Sequence, residues 1–120
     1  MVFVSSTYMR LKSPLYIPLL IFYVIQAMLQ VERASGKLNT RYRWIDGEFW
    51  TLSLWRDEAS MKAYRNQGVH RQVMPKLVKW SSEAGLVNWY QESTQLPDWQ
   101  IVEKRMRETG RMQKFGHVAG

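Results

Sequence analysis

Residues 38–55 read LNTRYRWIDGEFWTLSLW, two strand-like runs joined at Asp46-Gly47. Asp-Gly between such runs is a favoured type I′ hairpin turn, because both central positions need positive φ and the turn's twist matches that of paired strands. The turn fixes a register with Ile45 opposite Glu48, Trp44 opposite Phe49, Tyr42 opposite Thr51 and Thr40 opposite Ser53. A period of two then assigns the faces. Thr40, Tyr42, Trp44, Phe49, Thr51, Ser53 and Trp55 share one face, where rings mixed with hydroxyls suit a ligand-facing wall. Arg41, Arg43, Ile45, Trp50, Leu52 and Leu54 share the other, which suits packing beneath helices.

Upstream of the hairpin, Val2–Leu11 is rich in β-branched and aromatic residues and reads as a first strand, broken by Ser13-Pro14. A helix follows with Pro18 in its first turn, where the missing N–H does no harm, and runs to about Ala34-Ser35 before Gly36 as a left-handed terminator. That helix is apolar on most faces, so more than one surface must cover it. Downstream, Asp57 is a natural N-cap and Glu58 suits the positive helix end. Met61 and Tyr64 share a face of this helix, which weakens at Gly68. Pro75 marks a restart, Leu77 and Trp80 give the buried spacing, Gly85 is expected to close the helix, and Leu86–Gln91 reads as a last strand.

The resulting order is β-α-β-β-α-β, an α+β, ferredoxin-like arrangement with an antiparallel sheet. Pro97-Asp98 opens an extra C-terminal helix whose Trp99, Val102 and Met106 share one side. That stripe is expected to cover part of the oversized first helix. Gly110 ends it, and residues 112–120 read as a loosely ordered tail of a single domain spanning 1–120.

Composition narrows the function. The chain has no cysteine, which excludes disulfides and thiolate metal sites and fits a cytoplasmic, reducing setting. His70 and His117 lack metal-ligand spacing, so no metal site is expected. The net charge of +7 is spread along the chain: seven basic against three acidic residues in 1–56, five against four in 57–97, five against three in 98–120. A phosphate-binding stripe should be locally dense, so nucleic acid is not an expected partner. Leu15–Val31 is largely apolar, yet Pro18, Gln26 and Gln30 interrupt it and Glu32-Arg33 follow. It reads as a buried helix rather than a membrane span, and peripheral membrane contact ranks behind that reading.

The polar groups best placed for chemistry lie between the second helix and its continuation, in Arg65-Asn66-Gln67-Gly68-Val69-His70-Arg71. His70 is the candidate base, since imidazole titrates near neutral pH; the ordinary alternative is a junction histidine bonded to a carbonyl. Asn66 is the candidate for holding a developing oxyanion through its amide, against a plain capping role. Arg71 suits an anionic substrate group. Tyr8, Tyr42, Trp44, Thr51 and Tyr64 are the candidate substrate-binding residues, although aromatic stripes on strands also build cores.

The run from Phe49 to Trp55, then Met61-Lys62-Ala63-Tyr64-Arg65-Asn66, His70-Arg71 and Met74-Pro75, resembles a bacterial family related to spheroidene monooxygenase. That family is grouped with the antibiotic-biosynthesis monooxygenases in the dimeric α/β-barrel superfamily, and the likeness extends from about Tyr8 to the helix start at Leu96–Trp99. The resemblance implies a homodimer whose two sheets pack into a barrel, with a pocket between sheet and helices in each protomer. The superfamily includes cofactor-free quinone-forming oxygenases and haem-degrading oxygenases. Haem-degrading relatives use an early-strand asparagine, a helical tryptophan and a histidine ligand. This chain offers Ser5, Ser6, Thr7 and Tyr8 on the early strand, Tyr64 for the tryptophan, Met74 near the ligand position and His70 about a turn earlier.

The expectation is a small oxygenase acting on an apolar aromatic or polyene substrate without a cofactor, with haem as the possible exception. A non-catalytic dimeric binding module for a hydrophobic ligand or haem is the alternative. No GxGxxG fingerprint for flavin or nicotinamide occurs.

Overall fold

A computed structural model of the chain describes residues 1–66 and 75–114. In order these form β1 (Val2–Leu11), a 3-10 turn (Pro14–Tyr16), α1 (Ile17–Glu32), β2 (Lys37–Ile45), β3 (Glu48–Trp55), α2 (Glu58–Arg65), α3 (75–80), β4 (Ser81–Gln91), α4 (Trp99–Thr109) and β5 (Arg111–Lys114). One sheet runs in the order β2-β3-β1-β4-β5, with every neighbouring pair antiparallel. The β1-α1-β2 and β3-α2-α3-β4 units are each split by a strand inserted between their two strands, which is the ferredoxin-like arrangement expected from the sequence.

The hairpin obeys its turn. Asp46 and Gly47 have φ of 52° and 77°, and Ile45–Glu48, Trp44–Phe49, Tyr42–Thr51 and Thr40–Ser53 are paired. Gly36 has φ 85°, the left-handed conformation expected of a terminator, although α1 itself stops at Glu32. Asp57 caps α2 by accepting from the Ser60 backbone N–H at 2.8 Å. That N–H holds the Asp57 carboxyl below the usual carboxylate range.

Two cores lie on opposite faces of the sheet. On one, Val4, Leu52, Leu54 and Val87 pack beneath Val102 and Met106 of α4. Burying each such side chain is worth about 1.5–3 kcal/mol. On the other face, Phe3 and Trp55 meet Val31 of α1 and Met61 of α2.

Four expectations need correction. Helix α1 is not buried: the sheet side takes up Leu20 and Val31, while Ile21, Phe22, Ile25 and Leu29 on its outer side are more than half exposed, because no described element packs there. Gly85 does not close a helix: β4 already begins at Ser81, and Gly85 lies within it, opposite Tyr8. A Cβ there would collide with the Tyr8 ring, so the glycine serves a close approach across the ladder. The C-terminal helix does not cover α1. It packs on the far side of the sheet, where its Val102 and Met106 share one core with Tyr8, Trp50, Leu52 and Leu54. Finally, residues 112–114 are not a tail but part of β5, a fifth strand whose Arg111–Lys114 pair with Leu86–Glu83 after the chain reverses at Gly110. Residues 115–120 lie outside the described part.

Candidate functional site

Between the sheet and its covering helices is a cavity of about 750 Å³. This is within the usual range for small-molecule sites. Its floor is the face that the hairpin register assigned to a ligand, with Thr40, Tyr42, Phe49, Thr51, Ser53 and Trp55 on the wall. Its roof is the inward stripe of α1, Leu20, Tyr23, Val24, Ala27 and Val31, closed at the sides by Met61 and Tyr64 of α2 and Leu77 and Val78 of α3.

The floor has hydroxyls set in an apolar frame. Thr7 of β1 lies directly opposite Thr51 of β3, and their Oγ1 atoms are 2.6 Å apart. Beside them, Trp55 Nε1 donates to Ser53 Oγ at 2.8 Å, and Ser53 Oγ donates to the Ser5 carbonyl at 3.3 Å. Two threonine hydroxyls hold two O–H hydrogens, and their mutual bond uses one. The second is available to an acceptor in the cavity, such as a carbonyl or phenolate oxygen.

Tyr42 stacks on Phe49 with ring centres 6.0 Å apart, and Tyr64 packs against Trp55 at 5.4 Å while its hydroxyl donates to the Ala27 carbonyl at 3.4 Å. Burial raises the pKa of both phenols. Both are therefore neutral donors at physiological pH rather than bases. Among the described residues the wall has no carboxylate, imidazole or amine; its charged members are Arg65 and Arg111. Nor do the described residues bring together three His, Cys, Asp or Glu side chains that could hold a metal ion.

Set against the sequence reading, Tyr42, Thr51 and Tyr64 are on the wall. Tyr8 borders the cavity, but its ring stacks on Trp50 at 4.8 Å in the core beneath α4. Trp44 is 47 % exposed near the hairpin tip and is not on the wall. Asn66 is exposed at the end of α2, its N–H bonded to the Lys62 carbonyl at 3.0 Å, and it too is apart from the described wall. His70 and Arg71 lie outside the described residues. The sequence reading missed Thr7 as the partner of Thr51, because no local turn sets the register between β1 and β3.

Residues 27–116 match the family described as Domain of unknown function (DUF3291). No curated protein matches the chain. Among solved structures, a conserved protein from Methanosarcina mazei Go1 is 10 % identical with a TM-score of 0.69, covering 77 % of this chain and 94 % of its own. The protein Rv0793 from Mycobacterium tuberculosis is 7 % identical with a TM-score of 0.70, over 78 % and 97 % of the two chains. A protein described as an antibiotic biosynthesis monooxygenase is 12 % identical with a TM-score of 0.66, over 78 % and 100 %. At such identities the likeness is one of fold.

Proposed function

The chain belongs to the DUF3291 family, and from that premise we propose that it is a small oxygenase acting on an apolar, electron-rich aromatic molecule in the cavity beneath α1. The observation that supports this most is the Thr7–Thr51 hydroxyl pair, 2.6 Å apart on the floor of an otherwise apolar space. A phenolic or keto guest would place its ring between Phe49, Trp55 and the α1 roof, with its oxygen at the spare threonine hydrogen. Hydrogen bonding there favours the negative charge that develops on that oxygen when a proton leaves.

His70 is the proposed proton acceptor, in the sequence between cavity-lining Arg65 and Leu77. The deprotonated substrate passes one electron to dioxygen, and the resulting radical and superoxide combine with a proton to a hydroperoxide. That intermediate loses water. Overall, a ring C–H of a phenol becomes a C=O, one atom of O₂ enters the product and the other leaves as water, so no external reductant is required.

The test uses oxygen uptake with a hydroxynaphthalene or an anthrone as probe. The expected result is one O₂ consumed per quinone formed, without accumulated hydrogen peroxide, and a His70→Ala loss of about 10²-fold or more. Full turnover by His70→Ala would remove the histidine from the reaction.

The second reading, a dimeric binding module for an apolar ligand, is favoured by the absence of a proton acceptor from the described wall. Probe binding without oxygen uptake decides for it. A Soret band in protein from haem-replete cells would favour haem as the occupant.

A further inference from the structure

The outward stripe of α1 is as apolar as the inward one. Positions 18, 21, 22, 25, 28, 29 and 32 face away from the sheet, and of these Ile21, Phe22, Ile25, Met28 and Leu29 form a continuous strip, with Phe22 58 %, Ile25 54 % and Leu29 59 % exposed. Leu15 and Leu19 extend it toward the N-terminal end. An ordinary covering helix has charged residues on this side. Here the polar Gln26 and Gln30 lie one turn apart along one flank, and the strip itself is hydrocarbon.

The rim of the strip has its own chemistry. Tyr16 and Tyr23 pack on Trp80 of α3 with ring centres 6.0 and 5.7 Å away. Lys76 donates to the Tyr23 hydroxyl at 2.7 Å. Lys79 precedes Trp80, and Lys12 is tied to it through a backbone bond to the Trp80 carbonyl at 2.8 Å. None of these three lysines has an ion-pair partner among the described residues, and all are exposed. At the other end Arg33 is exposed, and Glu32 is already neutralised by Lys37 at 3.1 Å.

From this combination we propose that the outer face of α1 docks the protein on the surface of a membrane containing anionic phospholipid. An apolar strip with Phe and Leu, flanked by Tyr and Trp at headgroup depth and by lysines, matches an in-plane interfacial helix. Each cation near the surface adds attraction to acidic headgroups. A second copy is the competing occupant of this face, and oligomeric state separates the two. Spanning is disfavoured. The helical stretch Pro14–Glu32 is long and apolar enough to cross a membrane by length and composition, but its inward side roofs the cavity and its Leu20 and Val31 are buried in the domain. The proposal stands on the outer face and does not depend on the cavity being catalytic. It has one consequence for the cavity: a guest dissolved in the bilayer would meet the helix that roofs it.

Flotation of the full chain with vesicles of phosphatidylcholine plus phosphatidylserine, and of phosphatidylcholine alone, tests this. Co-flotation is expected with the anionic vesicles only. It should fall at least about ten-fold when ionic strength is raised to about 1 M, where the screening length is roughly 3 Å. Phe22→Ser with Ile25→Ser, and separately Lys12→Glu with Lys79→Glu, should each abolish flotation while leaving the oligomeric state and far-UV spectrum unchanged; none of these four side chains lines the cavity. Failure of the unaltered protein to float with anionic vesicles at low salt overturns the proposal, whatever the variants do. So does a Phe22→Ser/Ile25→Ser protein that changes oligomeric state yet still floats, which would mark the face as a contact between copies.

Discussion

Gly85 lies directly across the β1–β4 ladder from Tyr8, and the tyrosine ring fills the space that any side chain at position 85 would need. An ideal Cβ there meets Tyr8 Cε1 in hard overlap, comes within 2.8 Å of Tyr8 Cδ1, and is 3.1 Å from Met106 Sδ. Gly85→Ala should therefore displace the ring from its stack on Trp50 and destabilise the fold by about 1–3 kcal/mol, as overpacking does. Urea denaturation measures it. In the same chain Tyr8→Ala should relieve the clash, giving a coupling of more than about 0.5 kcal/mol. Additive effects would show that the ring does not set the need for glycine.

That pair also marks where sequence reasoning loses its hold. The hairpin was legible to the residue because Asp46-Gly47 determines its pairings locally, and period two then delivers the cavity floor from Thr40 to Trp55. Gly85 was misread because a glycine a few residues beyond the Leu77 and Trp80 spacing resembles a helix stop, and the reason for it is a ring on a strand far away in sequence. Tyr8 and Thr7 differ by one residue and point to opposite faces; only the β1–β3 register, which no turn fixes, puts Thr7 rather than Tyr8 against Thr51. The amphipathic stripe of α4 announced a buried face without saying which side of the sheet would receive it. Residues 111–114, RMQK, have no strand pattern of their own and owe their conformation to the free edge of β4.

Arg43 joins the hairpin to α4. Its guanidinium lies 4.5 Å from the Trp99 ring centre and 5.2 Å from that of Trp50, and its Nη1 is 3.3 Å from Glu103 Oε2. Its Nε is buried without a hydrogen-bond partner among the described residues. Stacking needs the flat, weakly hydrated guanidinium, which an ammonium does not replace. Arg43→Lys should cost about 1–2 kcal/mol from two lost cation–π contacts. Arg43→Met keeps the apolar stem and removes the unsatisfied donor, so it should cost less than Arg43→Lys in the same denaturation assay. The reverse order would assign the stabilisation to charge rather than to stacking.

Thr51→Val removes one hydroxyl of the floor pair at nearly constant volume. Stability should drop by only about 0.5–1.5 kcal/mol, the net worth of one hydrogen bond. The remaining Thr7 hydroxyl keeps one O–H free for a guest, so affinity for a phenolic probe should change by no more than about two- to three-fold, while affinity for the unsubstituted hydrocarbon stays level. Thr7→Val should act the same way, and only the double variant, which leaves no floor hydroxyl to donate, should lose about ten-fold, equivalent to 1.4 kcal/mol. Fluorescence quenching of Trp55 offers a readout, because that indole is on the same wall.

The buried phenols predict how stability responds to alkali. Burial raises the pKa of Tyr8, Tyr42 and Tyr64 in the folded chain, Tyr8 to about 12 with the nearby Glu83 charge adding to the effect. An unfolded tyrosine titrates near about 10. Between those values the unfolded chain has lost phenolic protons that the folded chain retains, so stability falls as pH rises through the window. Below pH ~10 these tyrosines contribute their full stabilisation and the curve should be flat on their account. Thermal melts at increasing pH should show the midpoint declining only above that point, and the phenolate absorbance of the folded protein should appear at higher pH than in urea. Tyr64→Phe, which keeps the ring against Trp55 and removes a hydroxyl bonded to the Ala27 carbonyl, should flatten part of the alkaline decline. A decline of unchanged steepness in that variant would show that Tyr64 ionises freely in the folded chain, and would make it available as a base in the cavity after all.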